Sequence, residues 1–127
     1  MTDMVNHPAH YVKNGIVIEP YDFLKYLPFG HGNALKYVIR AFDKGNTLED
    51  LKKAQWYLDN LISKDTLCFG CEEAEREFYI LFRLFIERTK NPILSKLKGF
   101  RCRPYEGISN ELPKILNEYI QKLELNV

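Results

Sequence analysis

Five polar residues recur at helical spacing in the first third of this sequence. Asn33, Lys36, Tyr37, Arg40 and Lys44 fall at i, i+3, i+4, i+7 and i+11. Residues so spaced share one face of a helix, while Ala34, Leu35, Val38, Ala41 and Phe42 take the other. One side of a short helix thus offers an amide, a phenol and two or three cations. Lys and Arg neutralise phosphate oxygens, and Asn and Tyr hydrogen-bond a sugar or a base. The bland alternative is the solvated face of any amphipathic helix. Further on, Glu49, Lys53, Trp56 and Asn60 share a face beside Tyr57. Trp56 and Tyr57 are adjacent and point about 100° apart on a helix. One is expected to pack inward; the other is left to stack on a base or on a second subunit. Gly30-His31-Gly32 reads as a flexible turn before the first of these helices, with backbone N–H groups open to an anion.

Other chemistry is sparser. His7-Pro8-Ala9-His10 offers two metal ligands, and Cys68-Phe69-Gly70-Cys71 with Cys102 offers three thiols. Together they are half of a zinc signature, since no second CxxC or HxxxH follows. A redox reading of CxxC needs a βαβ setting that the pattern lacks. No metal is therefore assigned. There is no GxxxxGK[ST] loop, HExxH pair or GxSxG elbow. Glu72, Glu73, Glu75 and Glu77 are dense enough to suggest an all-helical pyrophosphohydrolase, but no second helix supplies a matching ExxD pair.

The elements that position these residues read as helices. Pro20 to Leu27 suits a short one, with Pro20 in the first turn and Pro28 as its stop. Asn33 to Phe42 follows. Thr47 is expected to cap a third, with Asp50 completing a capping box, and the stripe Leu51, Ala54, Leu58, Leu61 and Ile62 carries it to about Lys64. Glu72 to Lys90 is the longest, with acids at its start and Arg88 and Lys90 at its end. Asn91-Pro92 breaks it. Residues 98–107 read as irregular, and Asn110 to Leu125 forms the last helix. Gly15-Ile16-Val17-Ile18 is the one short strand candidate. The expected fold is all-α: about five helices with an extended N-terminal arm. The chain divides into a module over 1–64 and a helical extension over 65–127 packed on the same domain.

Composition bounds the function. The 127 residues carry 18 Lys and Arg against 17 Asp and Glu, a net charge of +1. That argues against general nucleic-acid binding, since such proteins are usually strongly basic. Lys96, Lys98, Arg101 and Arg103 form one local basic stretch without an acid between 91 and 104. No apolar run approaches the ~20 residues of a membrane span, and no leader pattern is visible, so a cytoplasmic location is expected. The chain holds 16 Phe and Tyr and a single Trp. Phe78, Tyr79, Phe82 and Phe85 wrap more than one face of the longest helix. A second copy is the expected cover, giving a homo-oligomer; the alternative cover is the last helix.

Three blocks also resemble a known family. Val5-Asn6-His7-Pro8-Ala9-His10-Tyr11, Gly32-Asn33-Ala34-Leu35-Lys36-Tyr37-Val38-Ile39-Arg40-Ala41 and Glu49-Asp50-Leu51-Lys52-Lys53-Ala54-Gln55-Trp56-Tyr57-Leu58 appear in order. Over residues 5–64 they resemble a small phage-borne family whose best-known type is a phage nucleotide kinase. The resemblance implies a helical, oligomeric nucleotide-binding unit in the host cytoplasm. It implies phosphoryl transfer to a (deoxy)nucleoside monophosphate, with His7 or His10 as polarising or acid–base group. It places Tyr11, Asn33, Lys36, Tyr37, Arg40, Lys44, Lys53 and Trp56 on the nucleotide. Mg²⁺ would come with the nucleotide, and Glu19, Asp22, Glu49 and Asp50 are the acids the blocks supply. The competing expectation is binding without turnover: a protein that sequesters a nucleotide or nucleotide-derived signal against a host defence. A host protein is a further partner on that reading.

Overall fold

Apolar residues at helical spacing decide the architecture. The computed structural model describes residues 11–13, 16–43, 45–61, 71–100 and 104–126. A two-stranded antiparallel hairpin, β1 (Tyr11–Lys13) and β2 (Ile16–Ile18), comes first, with Tyr11 opposite Ile18. The helices are α1 (Pro20–Leu24), α2 (Phe29–Arg40), α3 (Thr47–Asp59) and α4 (Glu72–Arg88). A 3₁₀ segment (Leu94–Phe100) leads towards the short α5 (Pro104–Glu106). A π-helical turn (Gly107–Glu111) then opens into α6 (Leu112–Leu125). The fold is all-α. His7, His10 and most of the expected N-terminal arm lie outside the described residues, as do Lys44, Cys68 and Cys102.

One core joins both halves of the chain. Leu35, Val38, Leu51 and Ala54 from α2 and α3 meet Phe78, Phe82, Phe85 and Ile86 from α4. Ile93, Leu94, Leu112 and Leu116 complete it. Phe23 of α1 sits at its centre, its ring 4.9 Å from Phe85, 5.5 Å from Phe82 and 6.4 Å from Phe78. The α4 aromatics, expected to need a second copy as cover, are covered within the chain itself. Phe78, Phe82 and Phe85 are fully or almost fully buried within one chain. Their cover is α1 and the 3₁₀ segment, and Tyr79 meets Tyr105 edge-on at 5.6 Å. The last helix lies instead on α3. There Lys52 pairs with Glu124, Gln55 donates to Asn117, and Phe42 meets Tyr119 edge-on.

Three local expectations also change. First, Gly30-His31-Gly32 is not a turn. Pro28 serves as the N-cap of α2, the Gly32 N–H donates to its carbonyl at 2.8 Å, and Gly30 and His31 are buried. A proline there loses no helix donor, and its fixed φ sets the chain up for the first turn. Second, Thr47 does not cap α3. Asn46 holds that position, while Thr47 Oγ1 donates back to the Ala41 carbonyl at 2.9 Å and Asp50 is used elsewhere. Third, α3 stops at Asp59, five residues short of the expected end. Asn60 closes it, its backbone N–H and its Nδ2 both donating to the Trp56 carbonyl at 3.0 and 2.8 Å. The side chain thus satisfies a terminal carbonyl. Gly45, at φ +81°, turns the chain between α2 and α3, a left-handed conformation that favours glycine.

Candidate functional site

The α2–α3 pair brings together the polar face that the spacing singled out. At its centre is Tyr37. Lys36 Nζ stands 5.0 Å from its ring centroid, Arg40 Cζ 5.5 Å and Lys53 Nζ 5.6 Å. Tyr57 of α3 stacks on the same ring at 5.9 Å and 16°. Trp56 and Phe29 each meet Tyr57 edge-on, at 5.2 and 6.1 Å. Tyr57 is therefore the inward member of the adjacent aromatic pair, and Trp56 is 60% exposed. Three cations round one electron-rich ring repel one another; the ring face offsets this by about 0.5–1 kcal/mol per exposed contact.

Carboxylates hold two of the three cations. Arg40 Nε lies 3.7 Å from Asp50 Oδ2, and Lys53 Nζ lies 3.5 Å from Glu49 Oε1 one helical turn away. The two pairs differ in kind. Lys53 and Glu49 are both exposed, and such a pair is worth about 0–0.5 kcal/mol and opens readily. Asp50 is buried, so Arg40 is its necessary counter-charge. Lys36 is exposed and pairs with no carboxylate among the described residues. It is the cation most available to an incoming anion.

Beside this face, between α1 and α2, runs an open groove of about 250 Å³. Tyr21 and Leu24 line one side, Phe29 and Asn33 the other, with Gly32 between them and Lys36 at the end shared with the cationic face. Tyr21 and Phe29 are 69% and 75% exposed, unusual for aromatic rings on one surface.

Of the predicted site residues, Asn33, Lys36, Tyr37, Arg40, Lys53 and Trp56 come together on this surface. Tyr11 is a residue of β1, and the structure does not bring it to this surface. The acids expected to serve Mg²⁺ have structural partners. The Glu19 N–H donates to Asp22 Oδ2 at 2.9 Å at the start of α1, while Glu49 and Asp50 hold Lys53 and Arg40. Among the described residues no group of three His, Cys, Asp or Glu side chains is placed to hold a metal. No described helix is long and apolar enough to cross a membrane.

Two residues that support the site were missed. Asp50 read as a helix cap, and Asn91 as a helix breaker. Asn91 is buried, and its Nδ2 donates to the Val38 carbonyl of α2 at 2.9 Å. Its Oδ1 accepts from the N–H groups of Ile93 and Leu94 at 3.0 and 3.1 Å. It thereby ties the exit of α4 to the last turn of the site helix. Asn directly before Pro, between a helix and an apolar run, was the available signal.

Residues 5–59, less than half of the chain, match a protein family of unknown function, DUF3310. This corrects the resemblance to a nucleotide-kinase family: the matching family carries no assigned activity, and nothing in the match points to a kinase. No curated protein and no solved structure matches the chain. The matched segment contains all of α1, α2 and α3, and so every described residue of the cationic aromatic face.

Proposed function

We propose that this protein binds a nucleotide or nucleotide-derived ligand on the α2–α3 face, without a catalytic step. Lys36, Arg40 and Lys53 take the phosphates, and the neighbouring aromatic surface takes the base. The observation that carries the reading is the convergence of three cations within 5.0–5.6 Å of Tyr37, beside an exposed tryptophan. Cations alone would suit any anion, and aromatics alone any apolar partner. A nucleotide needs both, a few ångströms apart. Arg40 keeps 43% of its side chain exposed while its Nε faces Asp50. The buried carboxylate thus faces a buried Nε while part of the arginine side chain stays in solvent.

The test is a thermal-shift screen against nucleoside mono-, di- and triphosphates and cyclic nucleotides. A ligand at 100 times its Kd adds about 2.7 kcal/mol of stability. The reading expects a raised Tm with at least one class, and a loss of that shift in Lys36→Ala. No shift with any of them, at concentrations up to several millimolar, refutes it. Incubation with a labelled triphosphate checks turnover: the label is expected to stay on the nucleotide supplied.

A further inference from the structure

The groove beside the cationic face is open to solvent and encloses only part of a nucleotide-sized ligand. Its volume is about 250 Å³, below the roughly 300–1,000 Å³ that encloses a drug-sized ligand. A single heterocyclic ring system fits it. Its lining suits one: Tyr21 from α1 and Phe29 from α2 are both well exposed, and Leu24 and Leu27 add apolar surface. Lys36 lines its end and also stands over Tyr37. A ring in the groove would therefore carry its phosphates directly onto Lys36 and towards Arg40. The span from Asn33 to Arg40 is about 10 Å along the helix at 1.5 Å per residue, within reach of a mononucleotide.

One polar side chain in the groove has a fixed sense. Asn33 Nδ2 donates to the Phe29 carbonyl at 2.9 Å. A carbonyl can only accept, so the amide nitrogen must face the helix backbone. The group Asn33 then offers a ligand is Oδ1, an acceptor without a partner among the described residues. An acceptor selects a ring edge that bears an N–H donor.

We infer that the groove is a base subsite in which Asn33 Oδ1 accepts a hydrogen bond from the amino group of an amino-substituted nucleobase. This rests on the nucleotide reading above and adds its base specificity. Gly32 lines the groove next to Leu24 and Leu27. A Cβ there would stand 3.6 Å from the Leu24 carbonyl oxygen and 3.7 Å from Leu27 Cβ, ordinary contact distances. Gly32→Ala is thus tolerated by the fold, and a helix interior favours alanine over glycine. The added methyl takes up space that a ring would need.

Calorimetric titration tests this with three probes: adenosine monophosphate, purine riboside monophosphate (the same molecule without its amino group) and inorganic pyrophosphate. The wild-type protein should bind the adenine nucleotide about 3- to 10-fold more tightly than the purine one, as a single half-exposed hydrogen bond allows. Asn33→Ala should abolish that difference. Gly32→Ala should keep or raise the Tm and bind pyrophosphate as the wild type does, yet bind adenosine monophosphate several-fold more weakly. Equal affinity for the two nucleotides in the wild type overturns the role of Asn33. Unchanged nucleotide binding in Gly32→Ala overturns the subsite itself, and in both cases the phosphate-binding reading stands. Failure of all three probes to bind overturns the phosphate reading together with this one.

Discussion

Lys36 and Arg40 are one helical turn apart and face the same ring, yet they do different jobs. Lys36 is exposed and unpaired by any described carboxylate, whereas Arg40 neutralises the buried Asp50. Lys36→Ala should therefore leave stability within about 0.5 kcal/mol of wild type while weakening nucleotide binding about 10-fold. That is the low end for a charge-assisted phosphate contact, as befits an exposed site. Arg40→Ala should lose binding and also unfold more easily, by about 1–3 kcal/mol, because it strands a buried carboxylate; partial exposure of the Arg40 side chain moderates the cost. Denaturant titration beside a binding isotherm separates the two. Equal stability of both variants would mean that Asp50 does not depend on Arg40. The sequence showed this face through its i, i+3, i+4, i+7 spacing alone. It did not show the division of labour, because Asp50 comes from the next helix and its burial follows from how α3 lies on α2.

Asn91 belongs to the scale of elements. It joins α2, the end of α4 and the start of the 3₁₀ segment through three buried hydrogen bonds. Asn91→Ala strands two N–H groups and a carbonyl, each costing about 1–3 kcal/mol if no water replaces the amide. A loss of about 2–4 kcal/mol is expected by chemical denaturation, and a loss under 0.5 kcal/mol would show that the amide is dispensable. Tyr105, on α5, marks another junction. Burial, and the Glu75 carboxylate beside it, push its phenol above the ordinary tyrosine range. Below about pH 10 both folded and unfolded chains keep this proton, so its contribution is intact there. Above it, the unfolded chain releases the proton first and stability falls. In Tyr105→Phe that part of the alkaline loss should vanish when unfolding midpoints are compared between pH 9 and 11; identical slopes in the two proteins would remove Tyr105 from the alkaline transition. Helices were legible where apolar residues recur without interruption, as in α4 and α6. Their ends were less so. Pro28 began α2 where two glycines had suggested a turn, and Asn60 closed α3 although apolar residues continue beyond it. Capping by a proline or by a side chain reaching back is a matter of local geometry that periodicity does not carry.

At the scale of the molecule, the aromatic richness of the chain serves two separate ends. Phe23, Phe78, Phe82 and Phe85 form the interior. Tyr21, Phe29, Tyr37, Trp56 and Tyr57 gather round the groove and the cations. The sequence could not divide them, since both sets recur at helical spacing; only the packing of α1 across α4 reveals which rings are already covered. The proposed site is built from side chains of the α1–α3 segment, with no group required of a second copy. Nucleotide affinity should therefore not change with protein concentration, and titrations at 1 and 50 μM protein should give the same Kd. A Kd that falls as protein concentration rises would bring back a site shared between copies.

The most direct measurement uses the only tryptophan in the chain, Trp56. It is 60% exposed and lies edge-on to Tyr57, on the α2–α3 face where the phosphates are placed. Its fluorescence should change saturably as a nucleoside phosphate is added, and the response should shift about 10-fold to higher ligand concentration in Lys36→Ala. Raising the salt concentration should weaken it further, as screened phosphate contacts require. A signal that stays flat with every nucleotide, or one that saturates identically in wild type and Lys36→Ala, would contradict a nucleotide site on α2 and α3.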